Sequence, residues 1–491
     1  MDLQNITRET IEKVSAGILQ GTKDGSLRKA IDTTTGIKGY GLEGPVLQLV
    51  PLLTALRASI PRRVKAGTDS VRNRYITALS QPKPTIAKDA AGPLFTTTTE
   101  ERVYSYKVMG LRGQVGRDAE AEAQGFDSAL AIETTNCLLG QQKLEEIYVI
   151  GGNITALAAP AGHVAAERDA KGTIANVTLY VQIAAITIPA YNRTAVDMPL
   201  DYDGTDALLA GRSVLAADID VTATGDGVGP LSTEINTGAM TGTDNGVKIT
   251  WTPVPKAGAY LIYAGTTTGA ANLKLNAIVT QTSITLSSLA TGGVAASTHV
   301  ATSADALAWD GILATSVDNG GYVKYVNGKL TGSNGEVLEI QDAFAYLWRR
   351  SKVGRFRILV SGDESRILTR LGIAQNIMNI VVGSSADGRT QIVMGGHVGE
   401  IINSVSSQRC PVEVMPWLPP GTVLILPMEV PYNNANISAP FDMIFAHDAE
   451  RWDYYPTPTT GRVYGFDITE EGVLRNRFPA GCGVLTNIFK G

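Results

Sequence analysis

Apolar residues recur along this chain with two different periods, and the two periods divide it. In EIQDAFAYLWRRSK, Ile340, Phe344, Leu347 and Trp348 fall on one face at helical spacing, which predicts an amphipathic helix. RFRILVSGDESRILTRLG follows, where Ile358, Leu359 and Val360 read as a buried strand turning into a second helix, with Ser361 and Glu364 at capping-box spacing. From Phe126 to Ile150 there is no proline and only Gly140 interrupts; Leu130, Cys137, Leu144 and Tyr148 lie on one side of the helix this predicts. Asp127 is its expected N-cap and Gly151-Gly152 its stop, giving a spine of about 37 Å at 1.5 Å per residue. Near the start, Ile11, Val14, Ile18 and Leu19 predict a shorter amphipathic helix.

Elsewhere the period is two. In ERVYSYKVMG, Val103, Ser105, Lys107 and Met109 alternate with Tyr104, Tyr106 and Val108, and the stretch 76–121 is read as a β-hairpin or long two-stranded loop. Val177, Leu179 and Val181 predict a strand. From about 216 to 304 the chain becomes rich in Thr, Gly, Ala and Ser, with short alternating runs: Val247, Ile249 and Trp251; Tyr260 and Ile262; Ile284, Leu286 and Leu289. Short strands at this spacing around one Trp predict a β-sandwich. VKITWTPVPKAGAYLIYAG resembles the fibronectin type III or bacterial immunoglobulin-like pattern, a buried Trp before a GA-x-Y strand, although the usual late-strand tyrosine is not evident. The last hundred residues are strand-like and punctuated by proline.

Composition narrows the function classes. The 491 residues are 44% hydrophobic and 18% charged, values of a globular chain and not of a disordered one. No apolar run approaches the ~18 residues of a membrane helix, and the polar N-terminus predicts no secretory signal. Cys137, Cys410 and Cys482 are odd in number and form no CxxC pair, against a disulfide framework or a cysteine-built zinc site. His163, His299, His397 and His447 have no metal-ligand spacing, and HExxH and GxSxG are absent. Ser361 is explained by helix capping without a nucleophilic role, and GLRGQVGR (Gly110–Arg117) fits neither phosphate-loop pattern and is read as a flexible loop. Glu145-Glu146 and Glu470-Glu471 are adjacent in sequence, so their side chains diverge by about 100° on a helix; they are read as solvated or partner-facing edges. No catalytic residue, cofactor or metal is expected.

One electrostatic feature rises above this background. The formal net charge is −5, yet Arg57, Arg62, Arg63, Lys65, Arg72 and Arg74 crowd a short stretch against a single acid, Asp69. Prolines 45, 51 and 61 prevent one continuous helix, so the stretch reads as an arm lying against something else. Its cations could meet acidic patches on neighbouring subunits or phosphates of nucleic acid, or form an ordinary solvated face. No interleaved aromatics supply a base-stacking signature.

The order of these segments resembles the major capsid proteins of tailed bacteriophages, which have the Hong Kong 97-type fold. LEEIYVIGG (Leu144–Gly152) looks like the end of that family's spine helix, and ALAWDGILATSV (Ala306–Val317) like its segment after an insertion. VLEIQDAFAYLWRRSKVGRFRILVSGDESRILTRL resembles the helix–strand–helix of its axial domain. PPGTVLILPM and FDITEEGVLRNRFPAGCGVLTNI resemble strands returning to its peripheral domain. The resemblance implies an α+β chain with an N-terminal arm (1–75), an extended loop (76–121), a peripheral domain (122–154 and 419–491) and an axial domain (155–215 and 305–418). An all-β immunoglobulin-like insertion (216–304) would complete it. It further implies self-assembly into hexamers and pentamers of an icosahedral shell around double-stranded DNA, in virions assembled in the host bacterial cytoplasm. Portal and scaffolding proteins and a decoration or cement protein would be the partners, with no membrane. The first ~40 residues look too short for a cleaved assembly domain, which points to a separate scaffold. The reading from a different class is a surface-exposed, adhesin-like binding protein built on the immunoglobulin-like module; it requires export. Sedimentation separates the two, since megadalton particles fit only the first.

Overall fold

The computed structural model describes residues 54–65, 69–86, 88–122, 128–168, 171–194, 227–242, 245–290, 307–333, 336–374, 398–431, 439–454 and 463–489, with short pieces between 28 and 40, 292 and 301, and 382 and 392. The amphipathic helix expected at Ile11–Leu19 lies outside the described residues. The chain divides into two compact units.

The smaller unit comprises Met1–Val50, Gln114–Thr135 and Tyr455–Gly465. It contains the helix Arg117–Glu122 and the beginning of the helix Ala129–Gly151. Ser128 caps the latter, its Oγ accepting from the Ala131 amide at 3.2 Å, while the Glu120 carboxylate takes the Ser128 hydroxyl and the Leu130 amide, each at 2.8 Å. The expected cap, Asp127, lies outside the described residues.

The larger unit contains most of the chain, Pro51–Gly113, Asn136–Tyr454 and Phe466–Gly491. Its mixed six-stranded sheet runs in the order Tyr322–Gly328, Gly483–Ile488, Val423–Pro427, Phe356–Val360, Arg409–Val414, Glu400–Ile402. The helix Leu338–Ser351 covers it with three of the four residues of the predicted stripe: Ile340, Phe344 and Leu347 are fully buried among Ile358, Val360, Val423, Ile425 and Leu485, while Trp348 is half-buried at the margin. Phe344 stacks on Phe356 with centroids 5.3 Å apart. The helix Gly362–Ala374 follows Phe356–Val360. Ser361 accepts from the Asp363 amide at 3.2 Å, but the capping box is not reciprocal. The Glu364 carboxylate binds the Ser361 hydroxyl and, at 2.7 Å, the Gly421 amide, so it locks the helix start to a neighbouring turn.

A four-stranded sheet has the order Arg62–Val64, Phe441–Tyr454, Val463–Asn476, Lys107–Gly116. The segment GLRGQVGR is thus an edge strand and not a flexible loop. A Cβ on Gly113 would stand 2.3 Å from the Phe466 ring and one on Gly110 2.8 Å from Thr469, so these glycines let two strands carry a bulky residue between them. The C-terminal strands do not travel together. Phe441–Tyr454 and Val463–Asn476 belong to this sheet, whereas Val423–Pro427 and Gly483–Ile488 pair into the six-stranded sheet beside Phe356–Val360.

Two further sheets pack face to face. One has the order Ile235–Asn236, Tyr180–Ile186, Ala259–Gly265, Lys274–Val279, with Val228–Leu231 also on Tyr180–Ile186; the other is Ser283–Leu286, Gly246–Thr250, Val164–Arg168. Between them lie Val181, Ile183, Val247, Ile249, Trp251, Tyr260, Ile262 and Leu286, with Trp251 edge-on to Tyr260 at 5.2 Å. The inward positions are those the alternation predicts. The edge of this body is not at 216, however: Val164–Arg168 and Tyr180–Ile186 lie before that point and supply a strand to each sheet. The change of composition at 216 marks where turn-forming residues become frequent, not where packing begins.

The hairpin also differs from its reading. Thr97–Ser105 pairs antiparallel with Ser70–Leu79, from Ser70↔Ser105 to Leu79↔Thr97, and not with Lys107–Gly116. Tyr106 is buried between the two strands of ERVYSYKVMG, its amide donating to the Asp69 carbonyl at 3.1 Å, and there the chain passes from one sheet to another. A boundary at 75/76 cuts through the first strand of the hairpin.

Candidate functional site

The basic stretch separates into two groups, one turned into the protein and one turned out. The inner group begins at the short helix Ala55–Ser59 and the strand Arg62–Val64, which adds in parallel to Phe441–Tyr454 through Arg62↔Met443 and Val64↔Phe445. Leu56 and Ile60 are buried in the same apolar cluster as Ile147, Val149 and Ile150 of the long helix. Burial of those two side chains contributes roughly 1.5–3 kcal/mol each to holding the segment in place.

Charge completes the attachment. Glu145 and Glu146 are both fully buried, so the expectation of a solvated or partner-facing edge fails; the arm itself covers them. Arg57 donates its Nε to Glu145 and its backbone amide to Glu146 Oε2 at 3.2 Å. Arg62 donates Nη1 to Glu145 and Nη2 to Asp448 Oδ1 at 2.7 Å, lies 3.7 Å from Glu470 Oε2, and sets its guanidinium 4.1 Å above the Phe445 ring. Burial opposes the Arg62 charge, but Asp448 and Glu145 outweigh it and hold the guanidinium above its ordinary value. Asp448 is lowered: partial burial works against its charge, and the Arg62 hydrogen bond prevails. Glu146 is raised by burial, against the Arg57 and Leu56 amides it accepts. Glu470, buried and facing the Glu145 charge, is pushed up to about 8.

The outer group lies in and beside the hairpin. Arg72 and Arg74 are 70% and 74% exposed, each within 4 Å of the Glu101 carboxylate across the strand pair. Such exposed pairs are worth little to stability. Arg63 is half-exposed with Nε 3.9 Å from Asp442, and the Lys65 side chain is exposed while its amide donates to the Phe445 carbonyl at 2.7 Å.

The hairpin has a fixed root and a bare blade. At the root Val71 is buried, Tyr104 donates its hydroxyl to the Asn476 carbonyl at 3.0 Å, Tyr106 to the Lys65 carbonyl at 3.3 Å, and Arg475 Nη1 to Asn73 Oδ1 at 2.8 Å. Beyond the root, Ile76, Leu79, Ile86, Leu94 and Phe95 are exposed, Leu94 to 83%. A two-stranded ribbon has no interior in which to bury them. Sequence reading found the cations and the ribbon. It missed the acids that receive Arg57 and Arg62.

Among the described residues, no group of three or more His, Cys, Asp or Glu is placed to hold a metal ion, and no helix is long and apolar enough to cross a membrane. Ser361 is buried with its hydroxyl bonded to Glu364.

No protein-family model and no curated protein matches the sequence. Solved structures do align over nearly the whole chain. A capsid chain of a native GTA particle is 9% identical with a TM-score of 0.41, covering 94% of this chain and 100% of its own. A chain of Mycobacterium phage Bobi is 10% identical with a TM-score of 0.40, covering 93% and 99%. The SrpI encapsulin of Synechococcus elongatus is 7% identical with a TM-score of 0.39, covering 91% and 92%. The helices and sheets described above make the chain a mixed α+β protein; the structures similar to it include capsid and encapsulin chains.

Proposed function

We propose that this protein is a structural subunit of a virus-like shell: a major capsid protein that assembles into hexamers and pentamers around double-stranded DNA. The observation that carries the reading is the hairpin Ser70–Leu79/Thr97–Ser105, locked at its root and, beyond it, exposing Ile76 and Leu79 on one strand and Ile86, Leu94 and Phe95 in the connection between the strands. Exposed apolar surface of this kind on a ribbon without a core is ordered and desolvated by burial against other chains. Closed symmetric assembly supplies that burial once per copy. Arg72, Arg74, Arg63 and Lys65, which face outward, are assigned to contacts with neighbouring copies or with DNA; Arg57 and Arg62 serve the subunit's own fold.

In this reading the long helix and the four-stranded sheet form the peripheral domain, and the six-stranded sheet with its two helices the axial domain. The two-sheet body from about residue 155 to 299 is an immunoglobulin-like module on the shell. A scaffolding protein, a portal and a decoration protein would be its partners, and the virion its location, after assembly in a bacterial cytoplasm.

Electron microscopy and sedimentation of the protein co-expressed with its scaffold test this. Closed megadalton particles are expected, and replacing Leu94 and Phe95 by Ser should abolish them while leaving the subunit folded. Monomers or small discrete oligomers from the unaltered protein overturn the proposal.

A further inference from the structure

The cations of the arm are largely answered by acids of the same chain. Arg57 and Arg62 meet Glu145, Arg63 lies beside Asp442, and Arg72 and Arg74 share Glu101. A second basic run has no such answer. From Ala343 to Gly362 the sequence holds Arg349, Arg350, Lys352, Arg355 and Arg357 and not one acid. Of these, only Arg357 has a carboxylate within 4 Å among the described residues, that of Glu413. The other four are exposed around the C-terminal end of the helix Leu338–Ser351.

The fold sets these four on a rigid base. Ser351, Val353, Gly354 and Phe356, which lie between and beside them in sequence, are buried. Lys352 takes a left-handed turn at φ 60°; its amide donates to the Trp348 carbonyl at 2.9 Å and its ammonium returns to the Arg349 carbonyl at 3.2 Å. Arg350 donates to the Gly320 carbonyl, and the Arg355 carbonyl accepts from the Met428 amide at 3.1 Å. The turn Asn403–Ser407 packs on Gly354, whose carbonyl accepts Asn403 Nδ2 and Ser406 Oγ at 3.0 Å each, and it carries no charge. The negative end of a helix dipole favours nearby cations. That accounts for the first three at most, and not for Arg355 beyond the helix.

We infer that Arg349, Arg350, Lys352 and Arg355 form a binding surface for the phosphate backbone of double-stranded DNA. With a net charge of −5 the chain as a whole repels a polyanion, so attraction has to be local. No large apolar side chain is exposed between Leu347 and Arg357, so the surface lacks the apolar anchor of a protein interface. A phosphate backbone requires only charge and N–H donors, and three of the four are guanidiniums, whose paired donors match phosphate oxygens. The inference rests on the shell reading for the identity of the polyanion, and names the surface that would face the enclosed duplex.

The unassembled full-length subunit is the proper sample. Binding of a labelled duplex of about 20 base pairs is read by fluorescence anisotropy between about 50 and about 200 mM salt. The logarithm of the association constant should fall against log salt with a slope of about −3.6, about 0.9 for each cation that displaces a counterion. Arg349→Gln with Lys352→Gln and Arg355→Gln leaves Arg350 on Gly320 and should shrink the slope by about 2.7. Removing equal charge from the two-sheet body, by Arg168→Gln, Lys171→Gln and Lys274→Gln, should leave the slope unchanged. Should the first variant fail to fold, Arg355→Gln alone should shrink the slope by about 0.9, and Arg355→Lys should keep it. Equal losses in the two triple variants overturn the inference, as does tighter binding of polyglutamate than of the duplex, or no binding of the duplex. Particles are scored separately: shells whose subunits do not bind the duplex reject this surface alone, and duplex binding without shells rejects the shell alone.

Discussion

Arg475 donates its Nε to Asp442 Oδ1 at 2.8 Å across the two long strands of the four-stranded sheet, with both side chains buried. Arg475 Nη2 also donates to Asp442 Oδ2, Arg477 adds a third donor to the same carboxylate at 2.8 Å, and Arg475 reaches on to Asn73 at the root of the hairpin. Replacing Asp442 by Asn leaves two buried guanidiniums short of their counter-charge. A loss of about 3–5 kcal/mol is expected from urea unfolding. Amide exchange at Val71–Arg74 should accelerate with it, because Arg475 no longer holds Asn73. A loss below about 1 kcal/mol would mean that the pair is not what fastens the hairpin.

The edge strand Lys107–Gly116 offers an internal comparison. Gly113→Ala places a methyl 2.3 Å from the Phe466 ring, whereas at Gly116 the nearest atom lies 4.0 Å away. The first substitution should cost at least about 1–3 kcal/mol through overpacking, and the second should remain within about 0.5 kcal/mol of the parent. Phe466→Leu, by shortening the ring that fills the gap, should recover part of the loss at Gly113. Denaturation midpoints of the four proteins give the answer.

In the two-sheet body His299 bridges Gly229 and Tyr263, with Nε2 2.7 Å from the Gly229 carbonyl and Nδ1 3.2 Å from the Tyr263 hydroxyl. Burial lowers its pKa, against the opposing Gly229 hydrogen bond. The unfolded chain then binds a proton more readily than the native one. Stability should fall as pH drops below about 6.5 and stop falling once the native imidazole is also charged. Melting curves between about pH 4.5 and about pH 7.5 should show this slope, and His299→Gln should remove its share of it.

Local rules carried the sequence reading far where each element is amphipathic by itself. Ile340, Phe344 and Leu347 announce a helix that covers a sheet, and Val247, Ile249 and Trp251 announce an inward-facing strand, because burial and local period coincide there. The arm attachment was illegible for the opposite reason. Glu145 finds Arg57 and Arg62 at 88 and 83 residues' separation, and nothing near LEEIYVIGG shows that its acids will be covered. The unbroken alternation of ERVYSYKVMG likewise hides the change of partner at Tyr106, since period two fixes the faces of a strand and not its neighbours. In GLRGQVGR the glycines read as freedom, while in the fold Gly113 is clearance for Phe466 and Gly110 for Thr469.

The hairpin's fixed root and bare blade make it a lever. Six residues of strand, about 20 Å, separate Asn73 from Leu79, so a bend of about 10° beyond Asn73 would carry Leu79 about 3.5 Å while the bonds of Tyr104, Tyr106 and Asn73 stay in place. In the shell we propose, the exposed side chains at the far end could then follow neighbours of differing curvature while the root keeps its place.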